Sequence, residues 1–177
     1  MEEILKFWFE ELTPQQWWIK DSSLDKVIKD RFESIYYKAS RGELYTWRSS
    51  PEGQLAEIII LDQFSRNIFR NSSESFKFDP VALVLSQNCI FQGNDHKLDP
   101  IKRRFIYMPF MHSESLKIHD IAVSLFEKLG NEDALKFEHA HRNIILKFGR
   151  YPHRNKILKR KSTKEEIKFL NQPNSSF

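Results

Sequence analysis

Ser22-Ser23-Leu24-Asp25-Lys26-Val27-Ile28-Lys29-Asp30-Arg31-Phe32-Glu33-Ser34-Ile35-Tyr36-Tyr37-Lys38-Ala39-Ser40-Arg41-Gly42 is the stretch that decides the fold. Its apolar positions 24, 27, 28, 32, 35, 36 and 39 recur with the helical period of about 3.6 residues, leaving the opposite face charged. Ser22 or Ser23 can cap the start, and Gly42 suits the left-handed residue that follows a helix ending near Arg41.

The same punctuation recurs outward from this stretch. Before it, Glu2 to Glu10 reads as a short buried helix and Thr13-Pro14 as a cap with Pro at the first helical position. After it, Ser50-Pro51, Asp79-Pro80 and Asp99-Pro100 each open a helix, and Ser113 is a candidate cap for one running to Leu129, before Gly130. Asn131 and Asp133 begin another that reaches Phe148, and Ser162-Thr163-Lys164-Glu165-Glu166 holds overlapping capping boxes for the last. No alternating strand pattern with hairpin residues occurs. The expectation is an all-α domain of seven to nine helices in antiparallel pairs, spanning 1–177, with a frayed tail over 171–177.

Composition agrees. The 177 residues, 40% hydrophobic and 29% charged, describe a globular chain long enough to bury its own core. A single cysteine, Cys89, excludes an internal disulfide and a cysteine-based zinc site, and it reads as a small buried hydrophobe. An acidic start, Met1-Glu2-Glu3, is unlike a signal peptide, so the cytoplasm is the expected compartment. The longest strongly apolar stretch, Leu55 to Leu61, is interrupted by Glu57, so no membrane span is expected. Trp8, Trp17, Trp18 and Trp47 lie among apolar residues and read as core.

The net charge of +4 is a remainder. Residues 1–90 carry 11 basic and 14 acidic side chains, whereas 91–177 carry 17 and 10. Lys147 to Lys164 holds eight basic residues and no acid, which suits either a solvated segment or an anion-binding surface.

Three stretches are more polar than helix packing demands. In Leu61-Asp62-Gln63-Phe64-Ser65-Arg66-Asn67-Ile68-Phe69-Arg70, a continuing helix would set Asp62, Arg66 and Arg70 on one stripe. They would form either a plain ion-pair ladder or an arginine pair facing a cleft, oriented by Asp62 and Asn67. Met108-Pro109-Phe110-Met111-His112-Ser113-Glu114 falls between two helices, and His112 with Glu114 supplies a possible base and its orienting acid. In Phe148-Gly149-Arg150-Tyr151-Pro152-His153-Arg154-Asn155, Gly149 and Pro152 force a bend that presents Arg150, His153, Arg154 and Asn155 on a turn. Such guanidinium forks read anions, or else fold back to pin one helix to the next. His141 is a third catalytic candidate. His139 and His141 point to opposite sides of a helix, so no metal site is expected there.

These three stretches resemble the signatures of domain-of-unknown-function family 924. Phe7-Trp8-Phe9, Gly42-Glu43-Leu44 with Trp47, and Ser162-Thr163-Lys164-Glu165-Glu166 with Phe169-Leu170 extend the likeness over nearly the whole chain. The resemblance implies a bacterial protein with a fold similar to the tetratricopeptide-repeat superfamily, helix pairs stacked in a right-handed superhelix. It implies no activity and no cofactor. The chain departs from the family pattern at Lys159-Arg160-Lys161, where Gly-Arg is expected after Ile157-Leu158.

The functional expectation is a binding module whose Asp62, Arg66, Asn67, Arg70, His112, Glu114, His141, Arg150, His153, Arg154 and Asn155 hold an anionic small molecule or acidic peptide. The alternative is a small enzyme using His112 or His141 as acid–base, with Glu114 or Asp62 as orienter and the arginines as clamps. RNA binding through 147–164 is disfavoured, because aromatics are not interleaved there and half the chain is acidic.

Overall fold

Helices begin where a side chain can meet the backbone amides that no earlier turn satisfies. The computed structural model describes residues 1–173 and 175, and the described residues contain helices and no strand. The α-helical segments are α1 (Glu2–Lys6), α2 (Ser22–Ser40), α3 (Pro51–Ile59), α4 (Ser65–Ile68), α5 (Asp79–Phe91), α6 (Pro100–Met111), α7 (Leu116–Leu129), α8 (Glu132–Phe148) and α9 (Lys164–Leu170). A wide π turn, Ile60–Phe64, joins α3 to α4 without leaving the helical backbone, so the two form one rod. A second π turn, Phe7–Glu11, extends α1.

The starts follow the expected chemistry with three differences. Asp21, not Ser22 or Ser23, caps α2 by accepting from the Ser23 and Leu24 amides. A carboxylate also favours the positive end of the helix dipole, which a serine does not. Helix α7 begins at Leu116 after Ser115, so Ser113 is not its cap. Helix α6 runs through Pro109 to Met111, so the Met108–Met111 part of the second polar stretch is helical, not loop. Asn131 and Thr163 cap α8 and α9 as the sequence suggests, Thr163 in a full capping box with Glu166. In the tail, Ser175 is buried and its hydroxyl donates to the Leu170 carbonyl, and positions 174, 176 and 177 lie outside the described residues.

The chain forms two compact units, Met1–Arg70 with Glu74–Pro109, and Asn71–Ser73 with Phe110–Phe177. The core of the first is aromatic. Phe7, Phe32 and Phe64 pack ring to ring, Phe64 meets Trp8, and Trp8 meets Phe105 edge-on. Around them every side chain from Gln54 to Phe64 is buried. Cys89 is fully buried, and burial pushes its thiol up to about 12, so it is inert. Trp18 departs from its expected core role, being 45% exposed.

In the second unit, α7 and α8 are joined through Gly130 and Asn131 alone, so they return on each other as a helical hairpin. Ile144, Ile145 and Tyr151 form its buried cluster, with Leu116, Phe148 and Phe169 packed against it.

Gly53 lies against the backbone of the preceding turn. It lies in the first turn of α3, and a Cβ there would stand 1.9 Å from the Trp47 carbonyl oxygen. Backbone, not a flexible side chain, would have to move. Gly53→Ala is therefore expected to cost about 3 kcal/mol in urea denaturation, despite alanine's better helix propensity.

Candidate functional site

The candidate residues fall in two groups, one in each unit. Asp62, Arg66, Asn67 and Arg70 belong to the first. Asp62 is buried in the π turn and lies 3.3 Å from the Arg66 guanidinium, the expected i,i+4 pair. Arg66 also donates both terminal nitrogens to Asp79 at 3.0 Å, and one of them to the Asp62 carbonyl. The helix ends at Ile68, so Arg70 leaves the stripe it was expected to share. It turns instead to Asp25 on α2, whose carboxylate also accepts from the Asn67 amide at 2.9 Å. Each guanidinium of this stretch is thus spent on carboxylates of the same unit.

The second group surrounds Tyr151, whose side chain is fully buried. Gly149 takes the left-handed conformation that ends α8, and Pro152 starts a short 3-10 turn, which sets Tyr151 inward. The Tyr151 amide donates to Glu114 Oε1 at 2.7 Å, and its hydroxyl donates to the Met111 carbonyl at 2.5 Å. Arg160 binds both Glu114 oxygens at 2.6 and 2.9 Å, and reaches Asn155 Oδ1 and the Tyr151 carbonyl. Burial pushes the Glu114 carboxyl up, but the Arg160 and Tyr151 bonds outweigh it and hold it below the usual range. Arg150 does not face outward. It grips Glu166 at 2.6 and 2.8 Å and the Lys161 carbonyl at 2.9 Å. The Arg150 bond, with the Thr163 amide, draws Glu166 down to about 2.

Arg154 is buried over the Tyr151 ring, 4.6 Å from its centroid, and donates to the His112 carbonyl. His153 and His141 also lie against that ring, with centroids 5.4 and 5.8 Å away. His141 Nδ1 donates to the Phe137 carbonyl at 2.7 Å, so Nε2 carries the lone pair. Burial, reinforced by His112, His119 and His153 nearby, lowers the His141 pKa to about 3 despite that bond.

Two residues at the centre were not among the candidates. His119 and Glu138 are both fully buried and meet at 2.6 Å through Nδ1 and Oε1. A signal existed: His119 is a lone polar residue on the buried stripe of α7, with Ala122 and Phe126, and Glu138 shares the buried stripe of α8 with His141, among Ala134, Ile144 and Ile145. Arg160 appeared in the sequence only as extra charge. An open groove of ≈430 Å³ near Glu2, Trp47 and Ser50 contains none of the candidate residues, and no group of three or more metal-ligating side chains occurs among the described residues.

The signatures that build the Tyr151 turn are matched by a family profile described as a bacterial protein of unknown function, over residues 4–174. The chain belongs to this family. A solved structure of a protein of unknown function from Agrobacterium tumefaciens is 36% identical, covers 96% of each chain and superposes with a TM-score of 0.92. No curated protein matches. No helix among the described residues is long and apolar enough to cross a membrane.

Lys159, where the family pattern leads one to expect glycine, has φ +54°, a left-handed backbone that strains a side chain with a Cβ. That conformation lets the Arg160 amide bond the Asn155 carbonyl at 2.7 Å. Lys159→Gly is expected to raise stability by about 0.5–1 kcal/mol in urea denaturation, with the Arg160 network unchanged.

Acid sensitivity follows from His141 and Glu166. The unfolded chain protonates His141 below its ordinary 6.5, while the folded chain resists to about 3, so stability present above 6.5 is lost as pH falls through that window. Glu166 adds a loss that starts below 4.5 and continues to about 2. Denaturant titrations across pH should show this limb, and His141→Phe should remove its own share between 6.5 and about 3 while the Glu166 share below 4.5 remains.

Proposed function

We propose that this protein is a cytoplasmic helical-repeat-like binding protein for an anionic small molecule, a carboxylate or phosphate compound, held at the Tyr151 turn. The observation that carries the reading is the Arg154 guanidinium stacked on Tyr151, with His141 and His153 against the same ring. Glu114 is paired with Arg160 and Glu166 with Arg150. Lys156, Lys159, Lys161 and Lys164 are exposed on the same segment and favour the approach of an anion. The α7–α8 hairpin is the kind of unit that tetratricopeptide-like stacking would repeat, in keeping with the family resemblance.

Binding fits better than acid–base catalysis. A general base works best with a pKa near the operating pH, and His141 at about 3 is far below it. His119 and Glu138 are sealed from solvent.

A thermal-shift titration with inorganic phosphate and with di- and tricarboxylates tests the reading. A specific ligand at 100 times its Kd stabilises the fold by about 2.7 kcal/mol. The shift is expected to disappear in Arg154→Lys, which keeps the charge and loses the planar fork, and to weaken in His153→Gln. Equal shifts in all three proteins, or none with any anion, would remove the anion site.

A further inference from the structure

Helix α5 is apolar on both of its sides. Asp79 at its start is its only charged residue, and none follows from Pro80 to Phe91. Ala82, Leu85, Ser86 and Cys89 form the side that packs inward, where α5 meets α3. The positions left exposed are Pro80, Val81, Val84, Gln87, Asn88 and Phe91. At about 100° per residue these six fall within one arc of about 120°, centred on Val84. Phe91 is 89% exposed, Val84 60% and Val81 40%. A solvated helix ordinarily places charge on such an arc, as α2 does with its exposed Lys26–Asp30 pair. A helix that is apolar all round is normally covered all round.

The layout of the arc narrows what can cover it. Pro80, Val81 and Val84 give the N-terminal half a low relief, and Phe91 protrudes at the C-terminal end. The amides of Gln87 and Asn88 lie between them. An amide is donor and acceptor at once, so it can pair with its own symmetry mate, which a carboxylate or an ammonium cannot do. A two-fold axis crossing α5 at the level of Ser86 sets Phe91 against the partner's Val81 and Val84 against the partner's Asn88. Large then meets small along the seam, and the two helix dipoles run antiparallel. A parallel pairing would stack the two Phe91 rings and hold the valines apart. A lipid surface would bury the same amides without partners, and a charged peptide would find no counter-charge on the arc.

The area fits a second copy that comes and goes. Phe91 alone leaves on the order of 150–200 Å² outside, and with the valines and amides each copy presents roughly 400–500 Å². Two copies would bury about 800–1,000 Å² in all, the low end for a specific contact. We propose that the outer face of α5 is the interface of a reversible antiparallel homodimer, built on Val81, Val84 and Phe91, with the Gln87 and Asn88 amides pairing across the two-fold. The interface lies in the first unit and is independent of the anion site.

Sedimentation equilibrium of the whole chain, from about 1 µM to about 1 mM, reads the mass directly. The mass is expected to rise from one copy to two across that range. Val84→Arg buries an unpaired charge at the centre of the face and should weaken association by more than about 100-fold. The register has its own readout. Val81→Lys and Phe91→Glu should each weaken association, and the double variant, which sets each lysine beside a glutamate, should return to within about tenfold of wild type. All three side chains are exposed, so the variants should keep the wild-type far-UV dichroism. If one does not fold, NMR of the wild type on dilution decides: the shift changes must centre on Val84, Gln87, Asn88 and Phe91. A chain that stays a single copy at every concentration overturns the homodimer, and so does a dimer that Val84→Arg leaves intact. A double variant no better than its two parents overturns the antiparallel register. Binding to lipid vesicles by a chain that never dimerises assigns the face to a membrane surface instead.

Discussion

A charge cannot enter a helical core without a partner, and that constraint decides where the arginines of this chain go. Glu57, fully buried in α3, is met bidentately by Arg48 at 2.7 Å. Asp62 and Asp79 share Arg66, Asp25 takes Arg70, Glu114 takes Arg160 and Glu166 takes Arg150. Each pair joins elements of one unit, so charge satisfaction and tertiary packing are the same event. Removing Arg48, Arg66 or Arg150 would cost more than the pair contributes, because Glu57, Asp62 or Glu166 stays buried.

This explains which parts of the molecule were legible in the sequence. Helix boundaries are local: Gly42, Gly130, Gly149, Asn131 and Thr163 mark ends and starts within a few residues of the amides or carbonyls they satisfy. The all-α class followed from them, and the family likeness from the three polar stretches. Asp21 was missed because two serines beside it are equally good caps by type, and only the helix dipole separates them. The path of α6 through Pro109 was missed because proline usually breaks a helix.

The candidate site was legible as a set of residues and not as a set of roles. Arg150 and Arg154 sit four residues apart on one turn and look alike in sequence. One reaches Glu166 and the other lies flat on Tyr151, and nothing local distinguishes them. Their partners are separated along the chain, as with Arg70 and Asp25, so pairing is decided by the fold. His119 and Glu138 show the converse. Each marks a break in an apolar stripe, and two such breaks on adjacent helices are evidence for each other.

The π turn at Ile60–Phe64 has a consequence for how this family can change. A π turn accommodates one residue more than the α-helix on either side of it. The turn absorbs that residue, so deleting one residue there would close α3 and α4 into an ordinary helix while the residues beyond keep nearly the facing they have now. Arg66 would stay beside Asp79 and Asn67 beside Asp25. The same deletion within α3 or α4 themselves would turn those side chains by about 100° and part both contacts. The π turn is therefore a place where this rod can change its length and keep its pairing.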